Sequence, residues 1–155
     1  MNNWSGLRAE LLSAFPAMIL REEEVADNAK TDETFALVRL FAGRSWPEIS
    51  VFELAGVYDA LWFLTPLGVK AYIATFLQDV EDEDFDDMWK LNILSFLSQT
   101  GTEFDHYFGL LTSKQRQAIA NWIKYCAFRS SELCDRERAC AIAERFAPSR
   151  LERGR

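Results

Sequence analysis

The sequence predicts an all-α fold, a compact orthogonal or irregular bundle of about six to seven helices. Apolar residues recur at intervals of three and four, capping residues precede several of these runs, and no run alternates as a strand does. The chain has 155 residues, of which 49% are hydrophobic, and this length is typical of one domain with a sizeable core. We therefore expect a single α-helical domain over residues 1–148 and a polar, frayed C-terminal tail over 149–155.

Two helices are predicted in the first part of the chain. The first covers about Trp4–Ala14, and Pro16 ends it because proline disfavours helical backbone in the residue before it. The second has Asp32 as its N-cap and extends to about Ala42. Gly43 then occupies the position at which a left-handed residue commonly ends a helix.

Capping patterns predict the next two helices. The run Ser50–Glu53 is a capping box before an apolar face that extends to Trp62, although a short strand over 49–52 is an alternative. Thr65 followed by Pro66 is a cap and then a proline at the first helical position. The spacing of the next apolar residues predicts the clearest amphipathic helix of the chain, with Val69, Tyr72, Ile73, Phe76, Leu77 and Val80.

The second half of the chain contains three further predicted helices. The apolar stripe over Phe85–Leu97 predicts the first, and the aromatic residues of 104–111 then predict a connector of about one helical turn. A second capping box, Thr112–Gln115, precedes a helix that extends to Cys126. The last predicted helix covers about 131–146 and is more polar.

Negative charge is concentrated in one stretch, which we call the acidic segment. The net charge is −7, from 17 basic and 24 acidic residues, and outside the acidic segment the two signs balance. A calcium loop of the EF-hand type starting at Asp82 is excluded, because Asp87 stands where glycine is needed and Ile93 where glutamate is needed. Acidic residues also stabilise the first turn of a helix, and Asp84 would be the N-cap here. The acidic segment is therefore either a solvated helix start or a patch that binds a partner. The acidic segment consists of Asp79, Glu81, Asp82, Glu83, Asp84, Asp86 and Asp87.

The sequence contains no pattern typical of a catalytic, cofactor or metal site. His106 is the only histidine, and the three cysteines lack the spacing of zinc ligands. Glycine-rich phosphate loops and nucleophile motifs are also absent from the sequence. We therefore expect a protein that is not an enzyme and that uses no cofactor and no metal.

The sequence also argues against a membrane-spanning helix, a secretory signal and direct nucleic-acid binding. No apolar stretch reaches the roughly 18 residues that a membrane-spanning helix needs. The N-terminal residues do not have the pattern of a secretory signal, and no basic stripe indicates direct nucleic-acid binding. We expect a cytoplasmic protein that neither enters a membrane nor binds nucleic acid directly.

Three stretches resemble a bacterial family of small α-helical domains of unknown function. They are Asp59–Leu77, Trp46 upstream of it, and Leu111–Ile119. The similarity covers roughly residues 4–128. It implies a helical fold and no functional residues, because the family has no assigned activity.

The function that we expect is the binding of another protein with a basic surface, steered by the acidic segment. Trp46, beside Pro47, and Tyr107 are the aromatic residues expected to be partly exposed and to anchor such a partner. A concrete form is an immunity- or inhibitor-type protein that masks a basic toxin or nuclease, by analogy of properties alone. Two alternatives stay open: an enzyme with a site assembled from scattered residues, and a structural or oligomeric subunit. The sequence does not determine the oligomeric state.

Overall fold

The computed structural model describes residues 4–27, 31–57, 59–77, 87–129 and 133–148. Over these ranges the fold is all-α, as predicted, and the only β feature is an isolated antiparallel bridge between Ala26 and Leu64. None of the helices in these ranges is long and apolar enough to cross a membrane. The described helices are α1 Trp4–Ala14, α2 Glu22–Val25, α3 Asp32–Phe41, α4 Pro66–Phe76, α5 Asp87–Leu97, α6 Gly101–Phe108, α7 Ser113–Arg129 and α8 Leu133–Phe146.

The chain divides into two compact units. The terminal unit combines Met1–Ala14 with Leu111–Arg155, and the central unit is Phe15–Leu110. Helices α1, α7 and α8 therefore belong to the terminal unit, and α2 to α6 belong to the central unit. The single domain over residues 1–148 stays a prediction, and the tail over 149–155 lies outside the described residues.

In the terminal unit, α7 packs against both α1 and α8. The predicted capping box begins α7: the Thr112 amide donates to Gln115 Oε1 at 3.0 Å, and the Gln115 amide donates to Thr112 Oγ1 at 3.2 Å. Asn121 of α7 donates to Glu10 of α1 at 2.7 Å, which satisfies both polar groups beside the apolar contact. The core residues are Leu7, Leu11, Ala118, Ile119, Trp122, Ile123, Ile142, Ala143 and Phe146.

In the central unit, α4 is buried on all sides from Ala71 onward, so its predicted amphipathic character is wrong, and the predicted position of Val80 lies outside the described residues. Thr65 caps it as predicted, since its Oγ1 accepts from the Gly68 amide at 2.9 Å and Pro66 follows as the first residue. Every residue from Ala71 to Leu77 is buried, because α2, α6 and the 3₁₀ turns over Trp46–Glu48 and Val51–Gly56 contact the helix. A helix in this position is apolar around its whole circumference rather than along one stripe.

The glycine at position 68 allows α4 to approach α2 closely. A Cβ atom at Gly68 would lie 2.3 Å from the Val25 carbonyl oxygen, which is part of the rigid backbone. The Thr65 amide donates to the same oxygen at 3.1 Å, and the Thr65 hydroxyl donates to the Glu24 carbonyl. The start of α4 is therefore bonded directly to the backbone of α2.

The helix predicted after Ser50 is wrong in type and length. The capping box itself is present, with the Ser50 amide donating to Glu53 Oε2 at 2.8 Å. It begins a 3₁₀ turn over Val51–Gly56, and a second 3₁₀ turn follows over Leu61–Phe63. Glycine at position 56 disfavours continuation of a helix by about 1 kcal/mol. The strand alternative over 49–52 is also wrong, because these residues adjoin and enter the first turn.

The start of α3, the length of α6 and the end of α7, which is Arg129 rather than Cys126, also differ from the predictions. The N-cap of α3 is Thr31 rather than Asp32, because Thr31 Oγ1 accepts from the Thr34 amide at 3.2 Å. At the other end of α3, Gly43 has a φ of 75°, the left-handed conformation that was predicted. The connector predicted as one turn is the eight-residue helix α6, which gives its aromatic residues a fixed helical register.

Candidate partner-binding surface

The acidic segment is only partly covered by the structure. Its residues from Asp79 to Asp86 lie outside the described residues, as does the predicted N-cap role of Asp84. The backbone of Asp87 is described, and Asp87 is the first residue of α5. The role of this segment in binding a partner therefore stays a prediction.

Trp46 is not an exposed anchor. Its side chain is only 1% exposed, and its indole Nε1 donates to the Phe15 carbonyl oxygen at 2.7 Å. Pro47 follows it at the second position of a 3₁₀ turn over Trp46–Glu48, and this turn packs against α4. The expected exposure was wrong because a tryptophan beside a proline in a connecting segment can still belong to the core.

Tyr107 is half-buried, as expected, and it joins α6 to the 3₁₀ turn over Leu61–Phe63. Its hydroxyl donates to the Trp62 carbonyl oxygen at 2.8 Å. Its ring packs edge-on against the buried Phe96 of α5, with 5.1 Å between ring centroids. Trp62 packs on the same Phe96 ring at 5.5 Å. The two half-buried rings therefore share one rigid support.

Two acidic side chains belong to the same region. The Asp27 amide donates to the Phe63 carbonyl oxygen at 3.0 Å, next to the Trp62 carbonyl that Tyr107 binds. Glu103 lies four residues before Tyr107 in α6, on the same helix face. Both carboxylate residues are exposed. We call this set, with Trp62 and Tyr107, the Tyr107 surface.

The electrostatics of the Tyr107 surface favour positive charge. Burial raises the pKa of the Tyr107 hydroxyl above its ordinary value, and the negative charges of Asp27 and Glu103 raise it further. Neither carboxylate forms an ion pair with another residue of the described ranges. The surface therefore combines aromatic rings with two exposed carboxylates that form no ion pair with a described residue, and Glu103 Oε2 accepts from the Thr102 hydroxyl at 3.1 Å.

Among the described residues, none forms with His106 an arrangement typical of catalysis. Its side chain is exposed, and its ring lies edge-on to Tyr107 with 4.8 Å between centroids. Within the part of the chain that the structure describes, no group of three or more His, Cys, Asp or Glu residues could hold a metal ion. Of the described cysteines, Cys126 is half-buried and Cys140 is exposed.

The division into units also divides the charge of the chain. The central unit has 18 acidic and 6 basic residues, a net charge of −12. The terminal unit has 6 acidic and 11 basic residues, a net charge of +5. The central unit is acidic even apart from the acidic segment, since 11 acids then face 6 bases. The balance of signs outside the segment therefore holds for the whole chain and not for each unit.

Ion pairs neutralise few of the acids in the central unit. Arg21 pairs with Glu24 at 3.0 Å and with Glu23 at 3.4 Å, and Arg44 pairs with Glu53 at 3.0 Å. These are the ion pairs found between described residues. The exposed acids of this unit outside these pairs are Glu22, Asp27, Asp32, Glu33, Glu48, Asp59, Glu103 and Asp105.

Sequence reasoning identified Tyr107 and missed its neighbours. Glu103 could have been found from its four-residue spacing to Tyr107 if α6 had been predicted at its full length. Asp27 and Trp62 are distant in the sequence, and only the hydrogen bonds to the 3₁₀ turn bring them to Tyr107. The exposure of Phe52, at 72%, was also not predicted.

Comparison with known proteins places the chain in a family but identifies no activity. No curated protein and no solved structure matches it. One family model matches residues 12–146, which is most of the chain and extends to the end of α8. The sequence resemblance to a family of unknown function is therefore confirmed, and the chain belongs to DUF6714, a family of unknown function.

Proposed function

We propose that this protein is not an enzyme and that its central unit binds another protein with a basic surface. The observation that carries the proposal is the surplus of exposed acids in that unit. Among the residues whose side chains are described there, 11 are acidic and 4 are basic. An immunity- or inhibitor-type protein that masks a basic toxin or nuclease is the concrete form that we favour.

Electrostatics explains how such a unit would select its partner. A concentration of one sign of charge accelerates encounter with an oppositely charged surface and discourages partners of the same sign. An acid that forms no ion pair with another described residue has no such pair to break when a cation of the partner approaches. The acidic segment adds seven carboxylates to the same unit. We include a cytoplasmic site of action and a bacterial origin in this proposal, on the sequence grounds given above.

The test is affinity capture from a lysate of the source organism, with three forms of the full chain as bait. The first is the natural protein. The second neutralises five of the seven acids of the acidic segment, and the third neutralises five acids of the terminal unit, so that both variants have a net charge of −2. Glu10 is kept in the third form because it accepts a hydrogen bond from Asn121. The substitutions to Asn or Gln are Asp82, Glu83, Asp84, Asp86 and Asp87 in the second form, and Glu132, Asp135, Glu137, Glu144 and Glu152 in the third.

The proposal predicts a basic protein that the natural chain and the third form capture and the second form does not. Moderate salt releases this protein, because at 0.1 M salt the attraction between exposed charges more than about 10 Å apart is largely screened. Purified binding partners must then form a complex with the purified chain. Equal capture by all three forms, or capture of nothing that salt releases, contradicts the proposal.

A further inference from the structure

We propose that the Tyr107 surface accepts an arginine side chain of the basic partner. This inference rests on the proposed function and assigns one contact of that interface. The surface consists of Asp27, Trp62, Glu103 and Tyr107. It differs from the acidic segment because its aromatic rings can bind a cation through their faces as well as through charge.

Hydrogen bonds and helix register fix the backbone positions of these four residues relative to one another. Adjacent carbonyl groups of one 3₁₀ turn, those of Trp62 and Phe63, accept hydrogen bonds from the Tyr107 hydroxyl at 2.8 Å and from the Asp27 amide at 3.0 Å. Glu103 is held one helical turn before Tyr107. The site therefore needs little rearrangement when a ligand binds, which lowers the entropic cost of binding.

The aromatic part of the surface is partly exposed. Trp62 and Tyr107 both rest edge-on against Phe96, which is fully buried, so their positions are set from beneath. Both residues are nevertheless half-exposed to solvent. Tryptophan is the best aromatic partner for a cation, and tyrosine also serves.

The two carboxylates of the surface suit one guanidinium group, which has several N–H donors. Asp27 and Glu103 are exposed and form no ion pair with a described residue, and their negative charges already raise the pKa of Tyr107. Arginine fits better than lysine because its flat guanidinium stacks on rings and also donates to carboxylates through several N–H groups. Lysine is a compact, strongly hydrated charge with neither property.

The experiment titrates acetylated, amidated hexamers of arginine, lysine and citrulline into the full-length isotope-labelled protein. The readout is the indole N–H resonance of Trp62 in heteronuclear NMR spectra, assigned with Trp62→Phe. The test variant combines Asp27→Asn with Glu103→Gln. A matched variant combines Glu33→Gln with Glu48→Gln, two exposed acids of the same unit, so both variants lose two charges from the central unit.

The inference predicts that the arginine hexamer shifts the Trp62 indole resonance and that the citrulline hexamer does not. The Kd for the arginine hexamer rises about tenfold in the test variant, as expected for two lost charged contacts, and less than about twofold in the matched variant. The lysine hexamer binds more weakly than the arginine hexamer to the natural protein.

Three results would overturn the assignment. They are equal weakening in both variants, an unmoved Trp62 resonance at saturating arginine hexamer, and an equal response to lysine. None of these results would change the outcome of the capture experiment, so the proposed function could still hold. Conversely, if the capture experiment fails, the proposed function is contradicted even if the arginine hexamer binds the Tyr107 surface.

Discussion

Removal of the Tyr72 hydroxyl is the change with the clearest predicted effect on stability. Tyr72 lies in α4 and is fully buried. Its hydroxyl donates to the Phe41 or the Arg44 carbonyl oxygen, both at 2.9 Å, and accepts from the Leu20 amide at 3.4 Å. Tyr72→Phe keeps the ring, which packs on Phe41 with 4.5 Å between centroids. The change therefore isolates the polar contacts of the hydroxyl.

The magnitude follows from the groups left without a partner. A buried polar group that loses its hydrogen bond costs about 1–3 kcal/mol. The hydroxyl has one proton, so the Phe41 and Arg44 carbonyls share it and only one full donor contact is lost, together with the longer contact to Leu20. We expect Tyr72→Phe to lower the free energy of unfolding by about 2–3 kcal/mol. For a chain of this length that lowers Tm by roughly 4–12 °C.

The assay is urea unfolding at neutral pH, with Tyr107→Phe as the matched control. Tyr107 is half-buried and its hydroxyl donates to the Trp62 carbonyl oxygen, so the loss of this hydrogen bond should cost about 0.5–1.5 kcal/mol. Burial raises the pKa of Tyr72 above its ordinary 10.0. The native state therefore keeps its proton where the unfolded state loses it, and the advantage over Tyr72→Phe should shrink as pH rises above 10.0. A cost no larger than that of Tyr107→Phe would refute the reasoning.

Two further changes test the packing and charge of the central unit. Gly68→Ala should lower the free energy of unfolding by about 1–3 kcal/mol in urea unfolding, because its Cβ would clash with the Val25 carbonyl. Gly56→Ala, with no atom within 4 Å of the added Cβ, is the control, and an equal effect of both would contradict the close-approach argument. Arg44 holds the pKa of Glu53 below its ordinary 4.5, so Glu53→Gln should lose stability at neutral pH, and the difference should vanish as pH falls through that lowered pKa. Thermal unfolding across pH checks this, and a difference that persists in strong acid would contradict it.

Helix starts were predicted well because capping is a local property. The hydroxyl of Thr65 and the capping boxes at Ser50 and Thr112 bond to backbone amides within three residues, so the spacing alone indicates them. The identity of the cap at Thr31 was missed by one residue, since Asp32 beside it is an equally suitable residue type.

Burial was predicted less well because it depends on which elements surround a residue. The apolar spacing in α4 indicates one buried stripe, but neighbouring elements bury every residue from Ala71 to Leu77. Trp46 likewise became a core residue through a hydrogen bond to the distant Phe15 carbonyl. Sequence periodicity indicates the most apolar face of a helix, but it does not indicate how many other elements pack around that helix.

The candidate site was predicted in part for the same reason. Tyr107 stood out as an aromatic residue near acids in the sequence, whereas the carboxylate of Asp27 and the ring of Trp62 come from other elements. The charge of each unit could not be counted from the sequence either. Met1–Ala14 joins the C-terminal residues in one unit, and this grouping becomes visible only in the contacts.

The salt dependence of partner binding tests the central claim most directly. The captured partner and the natural chain are purified, and their Kd is measured between about 0.05 and 0.5 M salt, a range over which the screening length falls several-fold. The account predicts that Kd rises steeply with salt and that the slope is much shallower when the acidic segment is neutralised. It predicts the natural slope for the variant with five neutralised acids in the terminal unit. A Kd that does not change with salt, or the same slope for all three forms, would contradict the claim that the charge of the central unit selects the partner.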